Sequence, residues 1–168
     1  EKNYGDLYKI NVSEESTQKA ELYDADVSTT LTRFISEDKY MYYKDVKAMV
    51  GELYINKDSI DYDVSLDYTK YDDKSDAIAY FTDWNSEKSY GTLKVQNNDE
   101  SSKIADDVHA FNFTPSGEVL YLYDYSSNYS KGELYLYDGG EENEKIDDDV
   151  SAIIPMYTSA IKRIDYGL

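Results

Sequence analysis

An aspartate precedes valine at Asp26, Asp63, Asp107 and Asp149, and a second aspartate closes an apolar run at Asp45, Asp83, Asp124 and Asp165. The residue after this second column is Val46, Trp84, Tyr125 or Tyr166. Carboxylates beside flat aromatic faces suit a sugar, or a cationic group held by charge and by the ring quadrupole. Asp83, Asp124, Asp165, Trp84, Tyr125 and Tyr166 are therefore the candidate ligand-binding residues. A residue kept in every copy of a repeat usually serves the fold. The aspartates accordingly also have a structural reading, as acceptors for the backbone N–H groups of their own turns. Trp84 and Tyr125 change from copy to copy, which makes them the stronger ligand candidates.

Other chemistries are poorly supplied. Asp147, Asp148 and Asp149, or Asp61 with Asp63, could give some of the oxygens that Ca²⁺ requires, but no EF-hand spacing accompanies them. Apart from that possible Ca²⁺, no cofactor is expected. Cysteine is absent, so a thiolate zinc site cannot be assembled, and His109, the single histidine, by itself makes neither a transition-metal site nor a catalytic triad. No phosphate-binding glycine loop, nucleophile elbow or metalloprotease helix occurs. A glycosidase needs two carboxylates at a set separation, and 35 acidic residues offer no way to choose a pair. No catalytic residue is assigned.

The elements that must position these groups are short apolar, aromatic-rich runs broken by Gly, Pro, Ser and Asn, the pattern of antiparallel strands joined by tight turns. They repeat. Gly-x-Leu opens a strand at Gly5, Gly51, Gly91 and Gly132, at intervals of 46, 40 and 41 residues. The Asp-Val column recurs at 37, 44 and 42, and the closing aspartate at 38, 41 and 41. Three markers in phase, with four strands to a unit of about 40 residues, point to an all-β fold of four β-propeller-type blades. Lettered outward from the channel, strand A falls at 27–34, 64–68, 108–113 and 150–154. Strand B falls at 40–44, 78–82, 119–123 and 160–164, and strand C at 6–10, 52–55, 92–95 and 133–137. A strand D is expected near 145–146, and residues 13–22 read as a long loop with some helical character. One blade is thus split between the N- and C-termini of a single domain, 1–168, that may belong to a larger propeller. The split blade would close within a monomer or between chains of a strand-exchanged dimer.

Phe113-Thr-Pro-Ser-Gly117 followed by Val119-Leu-Tyr-Leu-Tyr123, then Gly132-Glu-Leu-Tyr-Leu-Tyr-Asp138, resembles the repeat of TolB-like and dipeptidyl-peptidase-type propellers. It also resembles the Tyr-rich propeller repeats of exported Gram-positive bacterial proteins. The resemblance implies the fold, and an extracytoplasmic, bacterial setting.

Composition narrows the partners. With 35 acidic and 17 basic side chains the formal net charge is −18. Such a surface repels phosphate backbones and anionic lipid, and no run is apolar enough to enter a membrane. Twenty tyrosines against four phenylalanines and one tryptophan suit strands covered on both faces, where a phenol fills space and still reaches a polar partner. The expected role is a non-catalytic extracytoplasmic binding module for a glycan, peptide or protein. A carbohydrate-active propeller enzyme and a structural spacer of a surface protein are the alternatives.

Overall fold

The computed structural model describes residues 4–10, 20–29, 32–36, 39–97, 100–140 and 142–154. Within them the chain is all-β, 75% strand with no helix. It divides into two compact units, Glu1–Asp106 and Asp107–Leu168.

The first unit holds a hairpin of β1 (Tyr4–Lys9) and β2 (Glu21–Ser28), then β3 (Arg33–Ser36), β4 (Lys39–Lys47), β5 (Val50–Ile55), β6 (Asp58–Asp72), β7 (Ala77–Asn85) and β8 (Tyr90–Asn97). From β3 to β8 each strand pairs antiparallel with the next in chain order. Strand β9 (Glu100–Phe113) begins in the first unit and ends in the second, where it pairs with β10 (Val119–Ser126). Strand β11 (Lys131–Tyr137) follows, then β12 (Glu144–Val150).

Most of the expected strands are found, with four corrections. Strands D and A, expected as separate strands, are one continuous 15-residue strand in β6. Leu22 belongs to β2 and not to a loop, and the run expected at 27–34 is split between β2 and β3. Residues 151–154 form no strand. The strand expected at 160–164 lies outside the described residues.

The continuity of β6 has a local cause. Asp63 has φ 54°, in the left-handed region, where asparagine and aspartate are the best tolerated residues after glycine. Gly51 pairs with Val64 and Leu53 with Asp61, so Tyr62 and Asp63 together face Glu52. This is a β-bulge, which bends and twists a strand without ending it. Asp26 at φ 56° and Asp149 at φ 61° make the same bulge in β2 and β12.

The second aspartate column does the same on the other edge of the glycine strand. Asp45, Asp83 and Asp124 have φ of 50°, 53° and 47°. Each forms, with the residue after it, a bulge opposite Gly51, Gly91 or Gly132. A Cβ on those glycines would lie 2.9 Å from the Lys44 carbonyl oxygen, 3.0 Å from that of Thr82 and 2.7 Å from that of Tyr123. At Gly51 and Gly132 the three sequence markers are therefore one structural node: a glycine flanked by two aspartate bulges.

The core of the first unit lies between successive hairpins. Met41, Tyr43, Leu53 and Ile55 of β4 and β5 pack on Val64, Leu66, Ile78 and Tyr80 of β6 and β7. Strands β4 and β7 are covered on both faces: Tyr40 to Tyr43 and Ala77 to Thr82 are all buried, with no polar alternation. Burying a tyrosine removes roughly 150–250 Å² from water, which is why the tyrosine-rich runs sit here.

Candidate functional site

The bulge that follows each closing aspartate decides where the candidate aromatic residues go. Asp83 and Asp124 project into solvent, while the next side chain lies back along the sheet. Trp84, half-buried, stacks on Phe81 with ring centroids 5.2 Å apart and planes at 13°. It also tilts against Tyr68 at 4.2 Å. The exposed carboxylates of Asp67 and Asp83 are next in sequence to the two outer rings of this shelf. In the second unit Tyr125, also half-buried, lies parallel to His109 at 4.0 Å and 3°. Both are more exposed than Tyr42, Tyr80 and Tyr121, which are buried. In the first repeat the same position is Val46, which packs against the core and whose carbonyl accepts the Tyr4 hydroxyl at 2.6 Å. Asp165 and Tyr166 lie outside the described residues.

The second unit brings together three of the sequence candidates. Asp124, Asp148 and Asp149 line one open cavity of about 400 Å³ with Tyr129, Lys131 and Glu133. Three of its four carboxylates are met by cations. Lys131 reaches Asp149 at 3.4 Å, and Lys145 contacts Asp148 at 2.6 Å and Glu133 at 2.7 Å. Those two acids hold the Lys145 ammonium above its ordinary pKa, and Lys145 with the Tyr135 hydroxyl holds Glu133 below its own. The tip of the cavity is Tyr129, 79% exposed.

Asp61 and Asp63, the other pair considered for Ca²⁺, are occupied in different ways. Asp63 is a bulge residue. Asp61 accepts the Lys94 ammonium at 2.7 Å, the Tyr80 hydroxyl at 3.1 Å and the Tyr62 N–H at 2.9 Å. Among the described residues no group of three or more His, Cys, Asp or Glu is arranged to hold a metal ion.

Asp61 reveals a role that the marker columns hid. Two residues before each bulge aspartate, Asp24, Asp61 and Asp147 accept the N–H of the following residue. The turn-acceptor role expected of the columns thus belongs to these neighbours, while the columns themselves supply left-handed backbone. Asp24 also accepts the Tyr42 hydroxyl at 2.6 Å and the Lys44 ammonium at 2.7 Å. In both cases a carboxylate on one hairpin is latched to a buried tyrosine of the next. Burial opposes ionisation of Asp24, but Lys44, Tyr42 and the Ala25 N–H outweigh it and hold the carboxyl below its ordinary value. Burial and then the facing carboxylate push both Tyr42 and Tyr80 far above the usual phenol range, with Ser101 partly opposing this at Tyr80. The sequence carried part of this signal: an acid stands two residues before the bulge at Asp24 and Asp61, where Tyr42 and Tyr80 follow, and again at Asp147, whereas Ala105 holds that place before Asp107.

The Tyr43 hydroxyl is the one buried side-chain polar atom with no hydrogen-bond partner among the described residues. Thr69, its polar neighbour, donates to the Ser65 carbonyl at 3.0 Å. Burial pushes the Tyr43 phenol up to about 12.

No family model, curated protein or solved structure matches the chain. The functional reading therefore rests on the geometry. The invariant residues of each node are accounted for by backbone, and the residue after the second bulge is left to vary as Val46, Trp84 and Tyr125.

Proposed function

We propose that this chain is a non-catalytic binding module, built from propeller-type repeats, that presents an acidic face bearing aromatic shelves to an extracytoplasmic glycan, peptide or protein. The observation that carries it is the Trp84 shelf. A variable aromatic residue is displayed at a fixed node, backed by Phe81 and Tyr68 and close in sequence to exposed carboxylates. A backed ring is already ordered, so stacking a sugar ring or a flat side chain on it costs little further conformational entropy. A cysteine-free, strongly acidic composition is consistent with an exported protein.

The blade reading is supported by the chain-order pairing, by strands covered on both faces, and by the node that recurs at Gly51 and Gly132. Gly5 supports the split blade. It opens β1 as Gly51 opens its strand and faces the Asp26 bulge of β2 as Gly51 faces that of Asp63, and among the described residues a Cβ there would meet only the Thr29 methyl, at 3.5 Å. Light scattering separates the two forms of closure. A monomer at every concentration indicates closure within the chain, a dilution-resistant dimer indicates exchange, and a monomer with a freely exchanging β1 edge rules out both.

The binding test is a glycan and peptide array followed by titration of Trp84 fluorescence. Trp84→Ala is expected to weaken binding by about 1–2 kcal/mol, a hot-spot contribution, while Asp83→Asn leaves the fold unchanged. Binding indifferent to Trp84, or arrays without a hit, would remove this reading.

A further inference from the structure

At the other end of the same hairpins from the nodes, where β4 begins and β5 turns into β6, the first unit holds a second cavity, of about 470 Å³. That is within the range of roughly 300–1,000 Å³ typical of small-molecule sites. Its lining is amphipathic: Ile55 and Ile60 give an apolar floor, and Lys39, Asn56, Asp76 and Gln96 give polar walls.

Several of these groups are held in place. Asn56, at φ 52°, accepts the Tyr40 N–H on Oδ1 at 2.9 Å, and its own backbone N–H donates to the Tyr40 carbonyl at 3.0 Å. This leaves the Asn56 Nδ2 group as a fixed donor. Asp76 receives Lys39 at 2.8 Å and the Tyr71 hydroxyl at 2.9 Å, both on Oδ1, so that Oδ2 is left to accept. Gln96, only 5% exposed, completes the wall and reports on it.

We propose that this cavity binds a small neutral polyhydroxylated ligand, a single sugar ring in size, with its C–H face on Ile55 and Ile60 and its hydroxyls on Asn56 Nδ2 and Asp76 Oδ2. Charge decides against the rival occupants. Lys39 is already the counter-ion of Asp76, so a divalent cation would have to displace an ammonium. Asp58 and Asp76 on the rim repel an anion. A neutral ligand with adjacent hydroxyls needs only the mixed donors and acceptors present, and its apolar face accounts for the two isoleucines. The site is independent of Trp84.

The test is ¹⁵N–¹H NMR of the whole chain titrated with glucose, N-acetylglucosamine and glycerol at millimolar concentrations, with calcium chloride as a separate arm. Saturable shifts of the Asn56 and Gln96 side-chain amides by at least one of the sugars are expected. Asn56→Asp keeps the Oδ1 acceptor and the left-handed preference but removes the donor, so it should weaken binding about tenfold, as read at Gln96. Ile60→Trp, which fills the cavity from a partly exposed position, should abolish the shifts and serves as a second variant should Asn56→Asp fold poorly. No saturable shift with any sugar overturns the proposal, as does unchanged affinity in both variants. Shifts produced by calcium but not by sugars also overturn it. Saturable sugar binding that moves Trp84 alone overturns it too, while leaving the binding-module reading intact.

Discussion

The second and third nodes of this chain share a backbone and differ in nearly everything attached to it. At Asp83 and at Asp124 the same left-handed residue faces the same glycine across the same bulge. Around the second node, strand β7 is buried from Ala77 to Thr82, and its central Tyr80 is tied to Asp61 and Ser101. In the third repeat Ala105 stands where Asp61 stands in the second. Its central residue, Tyr121, stacks on Tyr135 at 5.5 Å, and burial, together with Tyr135 and Tyr123, pushes its phenol up to about 12. The displayed rings differ as well, Trp84 on two aromatic residues and Tyr125 on His109. The bulge is thus the constant device of the repeat, while the latch and the displayed ring change independently of it.

The largest effects should come from the glycines. Gly91→Val or Gly132→Val drives a side chain into a carbonyl oxygen and is expected to cost about 2–3 kcal/mol or more, as overpacking and backbone displacement do. Gly5→Ala should cost far less, since only a methyl group lies near. Denaturant unfolding of the three variants measures the difference, and equal losses would mean that the node does not explain the glycine.

Next come the latches. Asp61→Ala removes the carboxylate from Lys94 and leaves the buried Tyr80 hydroxyl only Ser101; it should cost about 1–3 kcal/mol, below the value for a fully buried pair because these side chains are partly hydrated. Alanine is the natural residue at position 105, and Asp107 is left-handed all the same, at φ 53°. An Asp61→Ala variant as stable as the parent would make the latch a passive contact.

The latches also set a pH dependence. The carboxyl pKa of Asp24 is lowered in the folded state, so its contribution is present above the unfolded value, near 3.8, and is lost as pH falls further through the folded value. Tyr42 is shifted upward, so its contribution is complete below the unfolded value near 10.0 and is lost only as pH rises through the folded one. Thermal melts should therefore fall below about pH 4, and Asp24→Asn should flatten that acid limb. Absorbance of phenolate at high pH should show Tyr42 and Tyr80 titrating together with unfolding. Their early, independent titration would contradict their burial.

The smallest effects concern the bulge aspartates. Asp83→Asn and Asp83→Gly should be nearly neutral, because both residues adopt the left-handed region, whereas Asp83→Val should cost about 1–2 kcal/mol. If Asp83→Asn abolishes ligand binding with the fold intact, the carboxylate has a function beyond the backbone.

The sequence alone determined that the chain is β-rich, that it repeats about every 40 residues, and that glycine, Asp-Val and closing aspartate travel together. Turn chemistry and strand propensity are local, and a repeat prints them several times over. Those markers could not say that they converge on one rung, because opposition across a sheet depends on register, and register on where each bulge inserts its extra residue. Continuity of strands D and A was hidden for the same reason: a left-handed aspartate reads as a turn residue in sequence, yet here it only bends β6. Asp61 resembled a possible metal ligand until Lys94 and Tyr80, distant in the chain, were brought to it. The cavity beside Asn56 and Gln96 left no mark at all, since it is made by the ends of strands whose residues are unremarkable one by one. Local preferences can be read along a chain, but the partner of a charge and the walls of a cavity are set only when non-adjacent strands meet.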